Sequence, residues 1–358
     1  MSEPRRIAVG SGDAASVLWI GAGLLSEAAR YLVSPSGRFL VVSSTGAREP
    51  ADRIRQALAG RILVELEIDD REEAKTLDAV SRIADAALEA GVRRDDALVA
   101  VGGGVVSDVA GFAAAILLRG IAWNAVPTTT GAMADAAIGG KTGVDHAAGK
   151  NLLGAFHPPR AIVVDPEAAR ALPDRDFRAG LVEAFKAAWI ADADLAARAE
   201  RGIEGILERQ EAPLLDLLAG AAMVKARIVS EDPKEGDRRR LLNFGHTLGH
   251  AFEAAGGYRQ LRHGEAVAWG VAAALELSRE RSSVPEADAD RIREVLRRLG
   301  PFPEPERAAA ALAPYLSRDK KSSASGIAGV LLEEIGRARI VEGIPVADWL
   351  EAAARARL

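Results

Sequence analysis

Cysteine is absent from all 358 residues. Disulfides, thiolate metal sites and cysteine nucleophiles are therefore excluded, and the composition suits a reducing compartment. Histidine is scarce, at five residues, and aromatic side chains make up 4% of the chain. No apolar run reaches the roughly 18 residues that a membrane-spanning helix requires. The opening "MSEPRRIAVGSGDAASVLWI" lacks the continuous apolar stretch of a signal peptide. Positive charge is not in excess: 46 Lys and Arg stand against 51 Asp and Glu, a net charge of −5. That argues against a nucleic-acid partner but leaves room for a local basic pocket around a small anion. The expectation is a soluble cytoplasmic protein with no membrane and no nucleic-acid partner.

Apolar residues are plentiful, at 49%, and the length exceeds one ordinary core, so two domains are expected. The first part alternates strand-like and helix-like stretches. "RFLVVSS" (38–44), "RILVELEI" (61–68), "DALVAVGGG" (96–104), "AWNAVPTTT" (122–130) and "AIVVD" (161–165) read as strands. Residues 49–60, 71–92 and 105–117 read as helices. This alternation predicts a parallel sheet covered by helices on both faces. After "LPDRDF" (172–177) strand signals nearly vanish. Segments 178–211, 213–231, 241–255, 264–281 and 286–299 are helical in pattern, and 326–344 suggests a hairpin. The expected division is an α/β domain over 1–170 and a mostly α-helical domain over 171–358.

Three stretches carry chemistry. "VAVGGGVVSDVAGF" (99–112) sets three glycines between a strand and a helix. There a backbone can approach a phosphate and the helix N-terminus can meet its charge. The pattern is not GxGxxG, and a tight strand-to-helix turn is the plainer alternative. "VPTTTGAMADAAIGGKTGVDHAAGKNLLGAFHPP" (126–159) is too long and glycine-rich for a mere connection. It reads as a loop whose Asp135, Lys141, Lys150 and Asn151 suit an anionic ligand. Finally, "LLNFGHTLGH" (241–250) and "LRHGEAVAWG" (261–270) hold three of the five histidines. His246 and His250 share a helix face, and His263 follows. Upstream, "GLVEAFKAAW" (180–189) puts Glu183 and Lys186 on one face. Imidazoles with one carboxylate suit a divalent ion of the zinc type, although spacing alone does not say which histidines are ligands.

Taken together and in order, "GGGVVSDVAGF", "RGIAWNAVPTT", "IGGKTGVDHAAGKNLLGAF", "GLVEAFK", "RRLLNFGHTLGH", "HGEAVAWG" and "RDKK" resemble the 3-dehydroquinate synthases of the sugar phosphate cyclase family over residues 38–340. The resemblance implies a Rossmann-like NAD-binding domain, a helical metal- and substrate-binding domain, and a homodimer. It implies one divalent ion, Zn2+ or Co2+, held by Glu183, His246 and His263. NAD contacts would come from Glu72, Lys75, Gly103, Gly104, Val105, Asp108, Thr128, Thr129, Asp135, Lys141 and Lys150. The anionic sugar phosphate would be gripped by Arg119, Asp135, Lys141, Lys150, Asn151, Lys186, Lys225, Arg239, Asn243 and His250, with Lys320 and Lys321 closing the site. Of these, Lys141, Asn151, Lys186 and His250 are implied as catalytic. The implied reaction converts 3-deoxy-D-arabino-heptulosonate 7-phosphate to 3-dehydroquinate and phosphate, by transient oxidation, β-elimination, re-reduction and intramolecular aldol closure.

The chain departs from the family's pattern at Ala136 and Ala137, where serines are usual, at Ala171 in place of a threonine, and at Ser43–Thr45 after the first of these strands. The changes at Ala136, Ala137 and Ala171 remove hydroxyl donors rather than cations. Competing readings are a cyclase making an inosose or valiolone, a metal-dependent polyol dehydrogenase of the glycerol dehydrogenase type, and an inactive NAD- or metal-binding regulator.

Overall fold

The computed structural model describes residues 3–12, 15–281, 284–316, 322–323 and 326–358. Lys320 and Lys321 lie outside the described residues. Two compact units emerge: Met1–Leu172 with Lys225–Lys234, and Pro173–Val224 with Glu235–Leu358.

The first unit is built on β1 (Arg5–Val9), β2 (Ser16–Ile20), β3 (Phe39–Ser44), β4 (Ile62–Ile68), β5 (Ala97–Gly102), β6 (Ala122–Pro127) and β9 (Ala161–Val164), in the order β1-β2-β9-β6-β5-β3-β4. All neighbours are parallel except β1 and β2. Every residue of β3, β5 and β9 is buried. That is why they read as unbroken apolar runs: a parallel strand with both faces covered has no solvent side to mark with polar residues. Helices α1 (Arg48–Ala57), α2 (Leu77–Glu89) and α3 (Gly104–Ile116) cross between strands. Thr76 caps α2 by accepting the Ala79 N–H at 3.1 Å.

The segment 126–159 is not the loop its glycines suggested. It folds into a single π-turn over Ala132–Ala136 and a two-stranded ribbon, β7 (Lys141–His146) with β8 (Gly149–Phe156). Gly143 and Gly154 face each other across this ribbon so closely that a Cβ on either would strike the opposite backbone. The glycines there serve strand approach rather than flexibility.

The second unit is mostly helical: α4 (Asp174–Ala191), α5 (Ala193–Arg201), α6 (Ile203–Leu207), most of α7 (Glu211–Glu231), α8 (His246–Ala255), α9 (His263–Arg281), α10 (Glu286–Leu299), α11 (Ala309–Leu316) and α12 (Val346–Arg355). A small sheet of β10 (Ser322–Ser323), β11 (Gly326–Glu334) and β12 (Arg337–Ile344) completes it. The segment 178–211, helical in pattern, comprises three helices, α4 to α6, and the start of α7. Asp192 ends α4 and caps α5 by accepting the Leu195 N–H, and Gly202 separates α5 from α6. Leu248, Phe252, Trp269, Leu277, Leu312, Leu331 and Trp349 form one buried cluster that ties α8, α9, α11, β11 and α12 together. Full burial of such side chains stabilises by about 1.5–3 kcal/mol each.

Candidate active site

In the first unit the carboxyl ends of three neighbouring strands lead into Ser43–Thr45, Gly102–Gly104 and Thr128–Thr129. Ligands of open α/β sheets bind outside such ends. A Cβ on Gly103 would meet Thr129 at 3.1 Å, and one on Gly104 would meet Ala136 at 3.3 Å. The glycine loop thus leaves a cradle that side chains would fill. The N-terminus of α3 has no side-chain cap, and Ser107 Oγ in its first turn is buried without a partner. A buried hydroxyl and uncapped N–H groups together fit a pyrophosphate better than they fit a plain turn.

Beside this loop, Lys75 Nζ is buried and donates to Asp108 Oδ2 at 2.7 Å and Asn151 Oδ1 at 2.5 Å. Burial alone would lower the Lys75 ammonium, but Asp108 and then Glu72 raise it. Lys150 Nζ stands 3.2 Å from Glu72. Asn151 adopts a left-handed conformation, φ 53°, and its N–H donates to Asp145 Oδ1 at 2.8 Å. Lys225, on the part of α7 that groups with this unit, donates to the Asp135 carbonyl at 2.7 Å and carboxylate at 2.5 Å. Arg119 lies exposed in a short turn where Leu118 and Arg119 both have positive φ. Lys141 is exposed at the start of β7.

In the second unit a histidine–carboxylate cluster forms where three helices converge. Gly245, at φ 77°, turns the chain sharply into α8 and places His246 as its first residue. Close glycine contacts bring the helices together. A Cβ on Gly270 would run into the Gly245 carbonyl, and one on Gly264 into the Ala179 carbonyl. One turn along α4 from Ala179 comes Glu183, and next to Gly264 comes His263. These two contacts set His246 Nε2 3.7 Å and His263 Nε2 3.4 Å from Glu183 Oε1. The nearest ligand atoms of Glu183, His246 and His263 all lie within 4.8 Å of one another. Lys186 Nζ stands 2.5 Å from Glu183 Oε2. Even so, both Glu183 oxygens are buried and neither accepts a hydrogen bond of good geometry. A buried carboxylate so poorly satisfied fits a cation between it and two imidazoles.

The electrostatics agree. Burial opposes ionisation of Glu183, but Lys186, with His246 and His263, outweighs it and holds the carboxyl well below its usual range. Burial, reinforced by the Lys186 charge, keeps His246 well below the usual imidazole value and therefore neutral. For His263, burial again opposes charge, yet Glu253 and Glu183 overcome it and push the ring up to about 10. Its side chain is 48% exposed, so water screens part of this field. Two carboxylates on one ring still set the upward direction. His250 lies beside both, 5.4 Å from His246 and 6.1 Å from His263 between ring centroids. Arg239 is buried nearby in sequence, and Asn243 donates to Glu235 at 3.1 Å.

The structure therefore brings the sequence-predicted residues together in sets: Glu72, Lys75, Asp108, Lys150 and Asn151; Asp135 and Lys225; and Glu183, Lys186, His246, His250 and His263. Sequence reasoning missed Asp145, which holds Asn151, and Glu253, which faces His263. Glu253 was findable: positions 246, 250 and 253 fall on one face of a helix.

A seven-stranded, mostly parallel sheet with a glycine cradle, joined in one chain to a helical unit with a Glu–His–His cluster, is an architecture shared with solved sugar phosphate cyclases. A solved 2-deoxy-scyllo-inosose synthase, complexed with carbaglucose-6-phosphate, NAD+ and Co2+, aligns with TM-score 0.87 at 25% identity, covering 99% of this chain and 100% of that one. A 2-epi-5-epi-valiolone synthase from Streptomyces hygroscopicus, with NAD+ and Zn2+ bound, aligns with TM-score 0.84 at 30% identity over 96% and 97%. An iron-containing alcohol dehydrogenase shares the fold alone, with TM-score 0.69 at 14% identity. Within that class the chain belongs to the 3-dehydroquinate synthase family. The family's N-terminal part matches residues 65–179 and its C-terminal part residues 180–322. The 3-dehydroquinate synthase of Geobacter metallireducens is 40% identical over 94% of this chain and 95% of its own length. That of a Synechococcus species is 41% identical over 95% and 92%.

Proposed function

We propose that this protein converts 3-deoxy-D-arabino-heptulosonate 7-phosphate to 3-dehydroquinate and phosphate, with NAD and one divalent ion, Zn2+ or Co2+. The observation that carries the reading is the Glu183, His246 and His263 cluster in a chain about 40% identical to curated 3-dehydroquinate synthases over nearly its whole length. In this reading residues 1–170 bind NAD and residues 171–358 bind the ion and much of the substrate. A homodimer and a cytoplasmic location belong to the same reading and are carried by the resemblance.

Glu183, His246 and His263 would hold the ion, and Gly103, Gly104, Val105, Thr128 and Thr129 would seat the NAD phosphates. When bound, NAD supplies a transient hydride acceptor and donor, and the ion polarises a substrate hydroxyl. The chain's own residues do the rest. Lys186 keeps Glu183 ionised in a buried place. Neutral His246 offers a lone pair without having to lose a proton first. Lys75 and Asp108, fixed by Asn151, present a rigid polar pair beside the glycine cradle. Arg119, Lys141, Lys150, Lys225, Arg239, Asn243 and His250 are the donors assigned to the substrate's phosphate, carboxylate and hydroxyls. Fixed donors of this kind act by position and field.

The deciding assay offers the heptulosonate phosphate with NAD and Zn2+. Stoichiometric phosphate and dehydroquinate without NADH accumulation is expected. Turnover of a sugar phosphate that lacks the carboxylate would move the protein to the inosose or valiolone cyclases, which its structural likeness to both keeps in view. Steady NADH formation from a polyol would make it a dehydrogenase.

Two further results are expected. A ligand imidazole must give up its proton, so Zn2+ affinity should rise with pH between about 6 and 8, by up to about tenfold per unit, because His263 is held protonated in the metal-free protein. The stability sign is opposite. A raised imidazole pKa stabilises the metal-free fold below the unfolded value near 6.5, and that contribution disappears as pH climbs toward the folded value. Chelator competition across this range checks the first statement, and a flat affinity would remove His263 from the ligand set. Separately, Asp108→Ala leaves the buried Lys75 ammonium without its nearest carboxylate. NAD affinity should fall about tenfold or more, read by quenching of intrinsic fluorescence, with stability lowered by about 3 kcal/mol.

A further inference from the structure

His263 is flanked on both ring nitrogens. Its Nε2 faces Glu183 Oε1 at 3.4 Å and its Nδ1 faces Glu253 Oε2 at 3.3 Å. Glu253 sits on α8 one and two turns beyond His250 and His246, and its side chain is 5% exposed. Helix α8 thus carries a candidate ligand at its first residue and, on the same face, a buried carboxylate aimed at a candidate ligand of the next helix. The two helices are fixed in register by close backbone contact: Gly245 and Gly249 of the α8 segment lie against Gly270 and Ala266 of α9.

We propose that Glu253 is a positioning residue for the metal site: it accepts the Nδ1–H of His263 and so fixes the ring's tautomer and aim, leaving Nε2 free for the ion. The inference rests on the assignment of Glu183, His246 and His263 as ligands. A neutral imidazole has one nitrogen lone pair. If Nε2 gives that pair to an ion, Nδ1 carries the proton and needs an acceptor, which Glu253 supplies. The same geometry decides a competing arrangement. His250, Glu253 and His263 also bring ligand atoms within 4.8 Å of one another. A second ion there would need Nδ1 of the same His263, and a ring already bound through Nε2 has no second lone pair while neutral. Glu253 therefore serves the first group rather than building another.

The test compares Zn2+ affinity and stoichiometry, by chelator competition, in the full-length wild type, Glu253→Gln and Glu253→Ala, together with the visible spectrum of the Co2+ forms. One ion per chain is expected in all three. Glu253→Ala should bind it roughly 10–100-fold more weakly and show an altered Co2+ band, reporting a ligand no longer held at one angle. Glu253→Gln, whose amide oxygen still accepts from Nδ1, should lose less, and it carries the test if the alanine variant does not fold. Unchanged affinity and an unchanged Co2+ spectrum in both variants would overturn the positioning role alone. Two ions in the wild type and one in Glu253→Ala would make Glu253 a ligand instead. A wild type that binds no ion would overturn the ligand assignment and this inference with it.

Discussion

Glu183→Gln is expected to lower turnover by about three orders of magnitude or more and to leave the protein unable to retain Zn2+ through dialysis. The substitution keeps shape and removes one negative charge. That charge is what two imidazole nitrogens and the Lys186 ammonium converge upon. Without it a divalent ion would face a neutral amide and a buried cation 2% exposed. Removing one partner of a buried ion pair also costs about 3–5 kcal/mol, so the midpoint of urea unfolding should fall as well. Metal analysis, steady-state rates and urea titration on one preparation check all three. A Gln variant that retained its ion and more than a tenth of its activity would remove Glu183 from the site. Loss of stability alone, with ion and rate intact, would reduce it to the Lys186 counter-charge.

Gly264→Ala should be as damaging, although it changes no charge and touches no ligand. The new methyl would overlap the Ala179 carbonyl, a backbone atom with no rotamer to yield. Overpacking ordinarily costs about 1–3 kcal/mol, and a clash of backbone against Cβ belongs at or beyond the top of that range. To relieve it α9 must lift away from α4. His263 is next to Gly264 in the chain, and Glu183 is one turn from Ala179, so the same movement parts the two side chains. The expected result is a soluble but destabilised protein with Zn2+ affinity lowered at least as far as by loss of Glu253. Gly257→Ala is the control: a Cβ there meets nothing within 4 Å, so its cost is limited to the strain of φ 64°. Equal stability of Gly264→Ala and the wild type would mean that the helices are not in contact at this point.

These two residues also mark how far the sequence could be read. Glu183, Lys186, His246 and His250 announce themselves through helical spacing, and His263 through its rarity. The buried strands β3, β5 and β9 are legible because two covered faces leave a continuous apolar run. The N-terminal pair β1 and β2 was missed: "RRIAV" is short, charged at its start and largely exposed, as an edge strand is. The ribbon of β7 and β8 reads as a loop because it carries Lys141, Asn151 and several glycines, the residues that otherwise mark loops. Gly264 and Gly270 could not be assigned a role at all. A glycine inside a helix says that something comes close, but only packing says what. Glu253 falls between these cases, since its face was known and its partner on the next helix was not.

The grouping of residues 225–234 with the first unit sets an order of events during synthesis. Lys225 bonds to Asp135, and Ser230 Oγ accepts the Gly10 N–H at 2.8 Å. Chains emerge from the ribosome N-terminus first, and domains generally fold as units during synthesis. Here the nascent first unit still lacks these contacts when its sheet is finished at Val164. Those contacts become possible only after α4 to α6 and most of α7 have been made, when the end of a helix that began elsewhere joins the first unit. A shortened chain ending at Leu172 would therefore be a sheet without one of its fastenings, with Asp135 unpaired by Lys225. A gene fragment meant to yield the first unit complete would supply residues 225–234 by a circular permutation or a grafted linker rather than by a simple stop codon.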